Sequence, residues 1–222
     1  MRLKLFKDFV ELEQAILILL RSRMRVGAAQ PHAVILPGGR TPLAIYQALA
    51  SEPVKISHWL RILVSDERHV PLDSPDSNFG MMRGMIHALG ISETHVLRVH
   101  TEWPLEKAAD RYDAALRGYL RKGGRIKLGL LGLGADGHTA SLFSGSDILR
   151  GQGRYAVAVK RESGHNRISL TRDLLLKAEQ IVFMATGVEK REVVHKMIQS
   201  PGSVPAGMAV EDMRNVEIWY AP

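Results

Sequence analysis

The sequence contains no cysteine. Disulfide staples, thiolate nucleophiles and thiolate-held metals are therefore excluded. It also lacks an apolar stretch approaching a membrane span. The longest run towards the N-terminus, Ala15 to Leu20, falls far short of the roughly 20 residues that a bilayer requires. The charged segment, apolar segment and small-residue cleavage site of a secretory leader are missing, and we expect a cytoplasmic protein with no membrane partner. No repeat, low-complexity tract or linker divides the chain, so residues 1–222 are expected to form one domain. Three catalytic signatures are absent as well: the Gly-x-Ser-x-Gly elbow, the His-Glu-x-x-His zinc helix and the phosphate-binding Gly-Lys-Ser/Thr loop. Their absence argues against a serine hydrolase, a zincin or a P-loop enzyme.

What is present is an ordinary globular composition, 45% apolar and 24% charged, in a chain long enough for a sizeable α/β core. The formal charge of +7 fits either a solvated basic surface or anionic partners. No basic run interleaved with aromatics and no groove-reading motif accompanies it, so nucleic acid is not expected as a partner.

Apolar spacing predicts strands alternating with helices. Leu3–Phe6 reads as a strand, and Asp8 with Glu11 forms a capping box before a helix built on Phe9, Leu12, Ile16, Leu19 and Leu20. His32–Leu36 is the next strand. The turn Pro37-Gly38-Gly39-Arg40 follows, and Thr41 reads as an N-cap with Pro42 at the first helical position. Leu60–Ser65 is a strand, Asp66 to about Ser77 a loop, and a helix then runs to Leu89 and stops at Gly90. His95–Val99 reads as strand, and Pro104–Lys122 is the clearest amphipathic helix, ended by Gly123 and Gly124. Ile126–Leu133, Tyr155–Val159, Arg167–Thr171, Gln180–Ala185 and Val216–Tyr220 are further strands, with a helix over Val188–Gln199. This alternation implies a mostly parallel sheet covered on both faces, an α/β fold.

The chain is organised around Gly132-Leu-Gly-Ala-Asp-Gly-His-Thr-Ala-Ser-Leu-Phe143. A doubly buried strand breaks at Gly134, and Asp136, His138, Thr139 and Ser141 crowd where a helix is expected to begin. In open α/β sheets, ligands bind at that end of the strands. Gly132, Gly134 and Gly137 match the dinucleotide fingerprint in spacing. Asp136 would, however, oppose a pyrophosphate, and the ribose-binding acid about twenty residues on is missing. No cofactor is expected. His138 is either a general base or a turn hydrogen bonder. Asp136 either orients a histidine or sugar hydroxyl, or closes an Asx turn. Gly38-Gly39-Arg40-Thr41 is either an anion cradle at a helix start or a plain connection. Asp66-Glu67-Arg68 offers hydroxyl acceptors and an oxyanion partner, or a solvated ion pair. Arg167 and Lys190 are further cations near strand or helix ends, either site or surface residues.

Taken in order, Gly38-Gly39-Arg40-Thr41-Pro42, Asp66-Glu67-Arg68, Val70-Pro71, Asp76-Ser77-Asn78, the Gly132–Phe143 stretch, Arg167-Ile-Ser-Leu-Thr171, Gly187-x-x-Lys190 and the Trp219-containing end resemble the 6-phosphogluconolactonase family. That family sits within a larger group that includes glucosamine-6-phosphate deaminases and ribose-phosphate isomerases. The deaminases look like Asp-Glu-Tyr at the second motif and Asp-Gly-His-Ile-Ala at the third. Arg68 and Thr139-Ala-Ser-Leu-Phe143 favour the lactonase. Pro37 and Arg40 depart from the usual Ser-Gly-Gly-Ser, His69 stands where tryptophan is common, and Glu162-Ser-Gly-His-Asn166 replaces a proline-rich lead-in.

The resemblance implies a three-layer α/β/α, Rossmann-like fold of the sugar-phosphate isomerase/deaminase type. It also implies hydrolysis of the δ-lactone of 6-phosphogluconate, the second step of the oxidative pentose phosphate route, without metal or cofactor. His138 would be the base, Arg68 the oxyanion partner, and Asp136 with Asp66 would position water or sugar hydroxyls. Gly38, Gly39, Arg40, Thr41, Asn78, Gly137, Arg167 and Lys190 would bind the anionic sugar phosphate, in a monomer or homodimer. The rivals are an isomerase or deaminase of sugar phosphates, and a non-catalytic binder of sugar phosphate or nucleic acid.

Overall fold

Successive side chains of a strand face opposite ways, and here both faces of the central strands are buried. The computed structural model describes residues 1–25 and 30–222. The chain runs β1 (Arg2–Leu5), α1 (Phe9–Met24), β2 (His32–Leu36), α2 (Arg40–Ser51), β3 (Leu60–Val64), β4 (Asp66–Arg68), α3 (Asn78–Ala88) and β5 (Val96–Leu97). It continues through α4 (Leu105–Arg121), β6 (Arg125–Gly132), α5 (Gly145–Arg150), β7 (Ala156–Val159), β8 (Arg167–Leu170) and α6 (Arg172–Leu175). The last elements are β9 (Ile181–Thr186), α7 (Arg191–Gln199), α8 (Pro205–Met208) and β10 (Val216–Ala221).

Seven strands form one sheet in the order β1-β10-β9-β6-β2-β3-β5, every neighbouring pair parallel. Ala33 and Ile35 of β2 enter one core, with Tyr112 and Leu116 of α4 and Val193 and Met197 of α7. Val34 and Leu36 enter the other, with Leu12 and Ile16 of α1, Leu49 of α2 and Met82 of α3. The expected α/β layers are thus present. Burying each such aliphatic side chain contributes about 1.5–3 kcal/mol, so the sheet is held from both sides. Among the described residues no helix is long and apolar enough to cross a membrane.

The order of the strands sets the position of the site. From β2 the chain moves outward through β3 to β5, whereas from β6 it moves the other way through β9 to β10. The reversal falls between β2 and β6, and crevices form at the carboxyl ends of strands at such a point.

Several expectations are corrected. The loop expected from Asp66 begins as a strand, because β4 pairs antiparallel with β8 in a second sheet ordered β4-β8-β7. Thr41 is not the N-cap of α2. Gly39 holds that place with φ 115°, which glycine tolerates without strain, and the helix starts at Arg40. The strand expected at His95–Val99 shortens to β5 after a 3₁₀ turn, and the helix expected from Val188 also opens with a 3₁₀ turn before α7. No helix begins within the Gly132–Phe143 stretch. Thr139 and Leu142 close a tight turn instead, with Ala140 at φ 48°, and α5 waits for Gly145, where the Ser144 hydroxyl accepts from the Asp147 N–H. The capping box at α1 is offset: Asp8 accepts from the Glu11 N–H, but Glu11 accepts from Lys7 rather than from Asp8.

Candidate active site

The ends of β2, β3 and β6 supply most of the site, and Lys190 joins it from the turn after β9. After β2, the Pro37 carbonyl accepts a 2.6 Å hydrogen bond from the buried Tyr46 hydroxyl, which fixes the turn into α2. Burial, and secondarily the Asp66 charge, pushes the Tyr46 hydroxyl well above its ordinary pKa, so it remains a donor. Gly38 lies against Asn78: a Cβ at Gly38 would fall 1.9 Å from Asn78 Oδ1. Asn78 Nδ2 donates to the Asp66 carbonyl at 2.8 Å, and Asn78 Oδ1 is buried without a partner among the described residues.

After β3, Asp66 is buried and each of its oxygens accepts a hydrogen bond. Its Oδ1 accepts from the Ser65 hydroxyl at 2.7 Å and its Oδ2 from the Ser141 hydroxyl at 2.6 Å. Glu67 points away and serves the fold. Its carboxylate accepts from the N–H groups of Arg68, Asn78 and Phe79 and from the Ser77 hydroxyl, capping α3. Burial pushes its pKa up against the pull of those N–H groups. Arg68 donates to the Asp76 carbonyl at 2.8 Å and stands directly opposite Arg167 in the β4–β8 register. Like charges so placed repel. Burial first, and then Arg68, lowers the Arg167 pKa. The Arg167 Nε is buried with no partner among the described residues. A buried donor beside a second cation is a place where an anion relieves two costs at once.

After β6, the chain folds back on itself and His138 lies over Gly134. His138 Nδ1 and Asp136 Oδ1 are 2.5 Å apart, and the His138 N–H donates to the same oxygen at 3.2 Å. One carboxylate oxygen thus meets both the His138 backbone N–H and the His138 ring. Burial works to raise the Asp136 pKa, but the His138 hydrogen bonds outweigh it and hold it below the ordinary range. An ionised carboxylate only accepts, so the shared proton belongs on Nδ1, and in the neutral imidazole Nε2 is then the acceptor. The ring packs on Phe143, centroids 4.7 Å apart. Thr139 donates to the Gly132 carbonyl at 2.9 Å and so ties the turn to its strand.

These ends enclose a cavity of about 510 Å³, within the usual range for small-ligand sites. Gly38, Gly39, Arg40, Asp66, Arg68 and Asn78 line it. His138, Arg167 and Lys190 line it as well. The imidazole and the guanidinium of Arg68, seventy positions apart in sequence, thus share one crevice. Three expected residues do not line it. Asp136 acts on His138 from behind. Thr41 approaches the Thr186 hydroxyl at 3.3 Å. Gly137 backs onto Val204, where a Cβ would come within 2.8 Å.

A family model described as "Glucosamine-6-phosphate isomerases/6-phosphogluconolactonase" matches residues 10–219. The chain belongs to the glucosamine-6-phosphate isomerase/6-phosphogluconolactonase family. Its relatives in that family include a 6-phosphogluconolactonase of Thermotoga maritima, 36% identical over 163 residues, covering 71% of this chain and 70% of the relative. Another, from Treponema pallidum, is 34% identical over 178 residues, covering 77% and 74%. Among solved structures, a 6-phosphogluconolactonase from Trypanosoma cruzi superposes with a TM-score of 0.84 at 26% identity, covering 99% of this chain and 94% of that one. The Thermotoga maritima enzyme superposes with a TM-score of 0.79 at 27% identity, covering 99% and 98%.

Within this family member, the cavity also uses residues that sequence reading left unassigned. Ser141 and Phe143 both line it. The signal for Ser141 was its hydroxyl inside the glycine stretch, but its partner Asp66 lies 75 positions away. Phe143 belongs to the stretch that favours the lactonase, but the sequence assigned it no role beyond an apolar residue resuming after the turn.

Proposed function

We propose that this chain hydrolyses 6-phospho-D-glucono-1,5-lactone to 6-phospho-D-gluconate, with His138 activating the water. The observation that carries this is His138, 2.5 Å from Asp136 and lining a cavity with Arg68, Arg167 and Lys190. The 6-phosphogluconolactonases among its relatives support the same reaction.

A lactone is an activated ester, so hydrolysis needs a base, a placed water and charge stabilisation. His138 Nε2 takes a proton from water while Asp136 holds Nδ1–H and stabilises the imidazolium that forms. The hydroxide adds to the lactone carbonyl. Arg68 meets the oxyanion that develops on the tetrahedral carbon. When that intermediate collapses, the carbon–ring-oxygen bond breaks, and the imidazolium returns its proton to the departing oxygen. Asp66, locked by two hydroxyls, presents a fixed acceptor edge towards sugar hydroxyls or water. Arg167, Lys190 and the Gly38–Arg40 turn at the start of α2 hold the phosphate, with Asn78 shaping the wall beside it.

His138→Ala should lower kcat by about 10²–10⁴, measured on lactone generated in situ against a no-enzyme control, since the substrate also hydrolyses spontaneously. Full activity in the purified variant would reject the role of His138. An isomerase or deaminase would instead exchange solvent deuterium into a sugar phosphate, an outcome the lactonase chemistry does not allow.

A further inference from the structure

The segment between β7 and β8 brings another guanidinium to the site. The Arg161 Cζ lies 3.8 Å from the centroid of the Phe143 ring, which lines the cavity and packs on His138. Arg161 is also near enough to Arg167 for their charges to repel, in the same sense as Arg68 does. Three guanidinium groups therefore gather around one corner of the pocket. Arg68 bonds only a carbonyl, and Arg167 keeps a buried Nε unpartnered among the described residues. The two carboxylates that act on Arg167, Asp66 and Glu67, are already hydrogen-bonded within the fold, Asp66 by serine hydroxyls and Glu67 chiefly by backbone N–H groups.

The segment carrying Arg161 is tied down. The Arg161 N–H donates to Asn166 Oδ1 at 3.0 Å, the Asn166 carbonyl accepts from the His69 N–H at 2.8 Å, and His165 Nε2 sits 3.0 Å from Asp76 Oδ2. Asp76 is the residue whose carbonyl holds Arg68. One side of the pocket thus carries Arg68 and Arg161 on mutually anchored segments. Stacking on a ring face engages the plane of a guanidinium and leaves its N–H edges free. The side chain is held in place before any ligand arrives, and its donors remain unspent.

We propose that Arg161 is a substrate-binding residue, parked on Phe143 at the pocket rim, where it closes with Arg167 on the phosphoryl group of the bound sugar acid. This rests on the lactonase reading for the identity of the ligand, but not for the binding event. A phosphomonoester dianion neutralises a cluster whose members repel one another while the pocket is empty. The chemistry explains why these three guanidinium groups stand together with no salt bridge to a carboxylate among the described residues.

The test is binding of 6-phosphogluconate and of inorganic phosphate by calorimetry, together with KM and kcat for the lactone, in wild type, Arg161→Ala and Arg161→Lys. For Arg161→Ala the dissociation constants of both ligands and KM should rise about tenfold, the loss of one charge-assisted contact. Arg161→Lys should recover part of that loss. The melting temperature of unliganded Arg161→Ala should be equal to or above that of wild type, because a repulsive charge has gone. A purely structural prop would lower it. Dissociation constants within about twofold of wild type would overturn the proposal. So would a fall in kcat at unchanged affinity, which would make Arg161 a support acting through Phe143 on His138. If wild type fails to accelerate lactone decay, the lactonase reading fails, whereas the binding comparison still decides the role of Arg161.

Discussion

At the scale of single residues, the base owes its position to a side chain that is missing. His138 Nδ1 and Asp136 Oδ1 occupy the space that a Cβ on Gly134 would enter, at 2.2 and 2.4 Å. Alanine is compatible with the Gly134 backbone, which lies outside the left-handed region, so Gly134→Ala should fold. The imidazole and its carboxylate must then move together, and a shift of about 1 Å in a catalytic group costs on the order of 10²-fold in rate. We expect Gly134→Ala to lose about 10²-fold in kcat, with the denaturation midpoint nearly unmoved. Activity and urea unfolding measured on one preparation check this. Wild-type turnover would show that the ring does not depend on the space above Gly134. Polar residues packed behind an apolar strand made His138 and Asp136 legible in the sequence. The partnership of Ser141 with Asp66 was not legible, because it exists only after β3 and β6 are brought to one edge of the sheet.

At the scale of elements, the buried strands were readable and the small sheet was not. β2, β6, β9 and β10 are apolar runs because both their faces are covered. β4 is Asp-Glu-Arg, which reads as loop. It becomes strand because β8 pairs with it and α3 consumes the Glu67 carboxylate. The join between α4 and that small sheet rests on Asp113. Its Oδ1 accepts from the N–H groups of Tyr155 and Ala156 at 2.5 and 3.3 Å, and its Oδ2 from Arg117 Nε at 2.7 Å. Burial works to raise the Asp113 pKa, but Arg117 and the two N–H groups more than offset it, so the folded value lies below the ordinary one. A depressed carboxyl pKa adds stability above the unfolded value, near pH 4, and that stability is lost as pH falls through the folded value. Asp113→Asn should therefore cost about 1–3 kcal/mol at neutral pH, and the difference from wild type should shrink as acid is approached. Urea unfolding between pH 3 and 7 gives the comparison. A gap that stays constant down to pH 3 would mean the charge of Asp113 contributes nothing.

At the scale of the whole molecule, the net charge of +7 says that cations are in excess but not where they stand. The fold answers that by turning its strand order between β2 and β6 and collecting Arg40, Arg68, Arg167 and Lys190 around the resulting crevice. Elsewhere many basic side chains have local acids: Arg2 pairs with Glu217, Arg21 with Glu52, Lys127 with Glu179 and Lys196 with Glu192. Among the described residues the crevice therefore concentrates positive charge without salt-bridge partners, which destabilises the empty protein and is relieved by an anion. Linkage turns this into an observable. A ligand that binds only the folded state at about 100 times its dissociation constant adds about 2.7 kcal/mol. For a chain of this length each kcal/mol raises the melting temperature by about 2–4 °C. We expect 6-phosphogluconate at that excess to raise the melting temperature by about 5–10 °C. Gluconate at equal concentration and ionic strength should raise it far less, since it lacks the phosphoryl group. Added sodium chloride should weaken the effect by screening. Equal shifts from gluconate and its phosphate would mean that the crevice recognises the sugar acid alone, and that its cations serve some other anion.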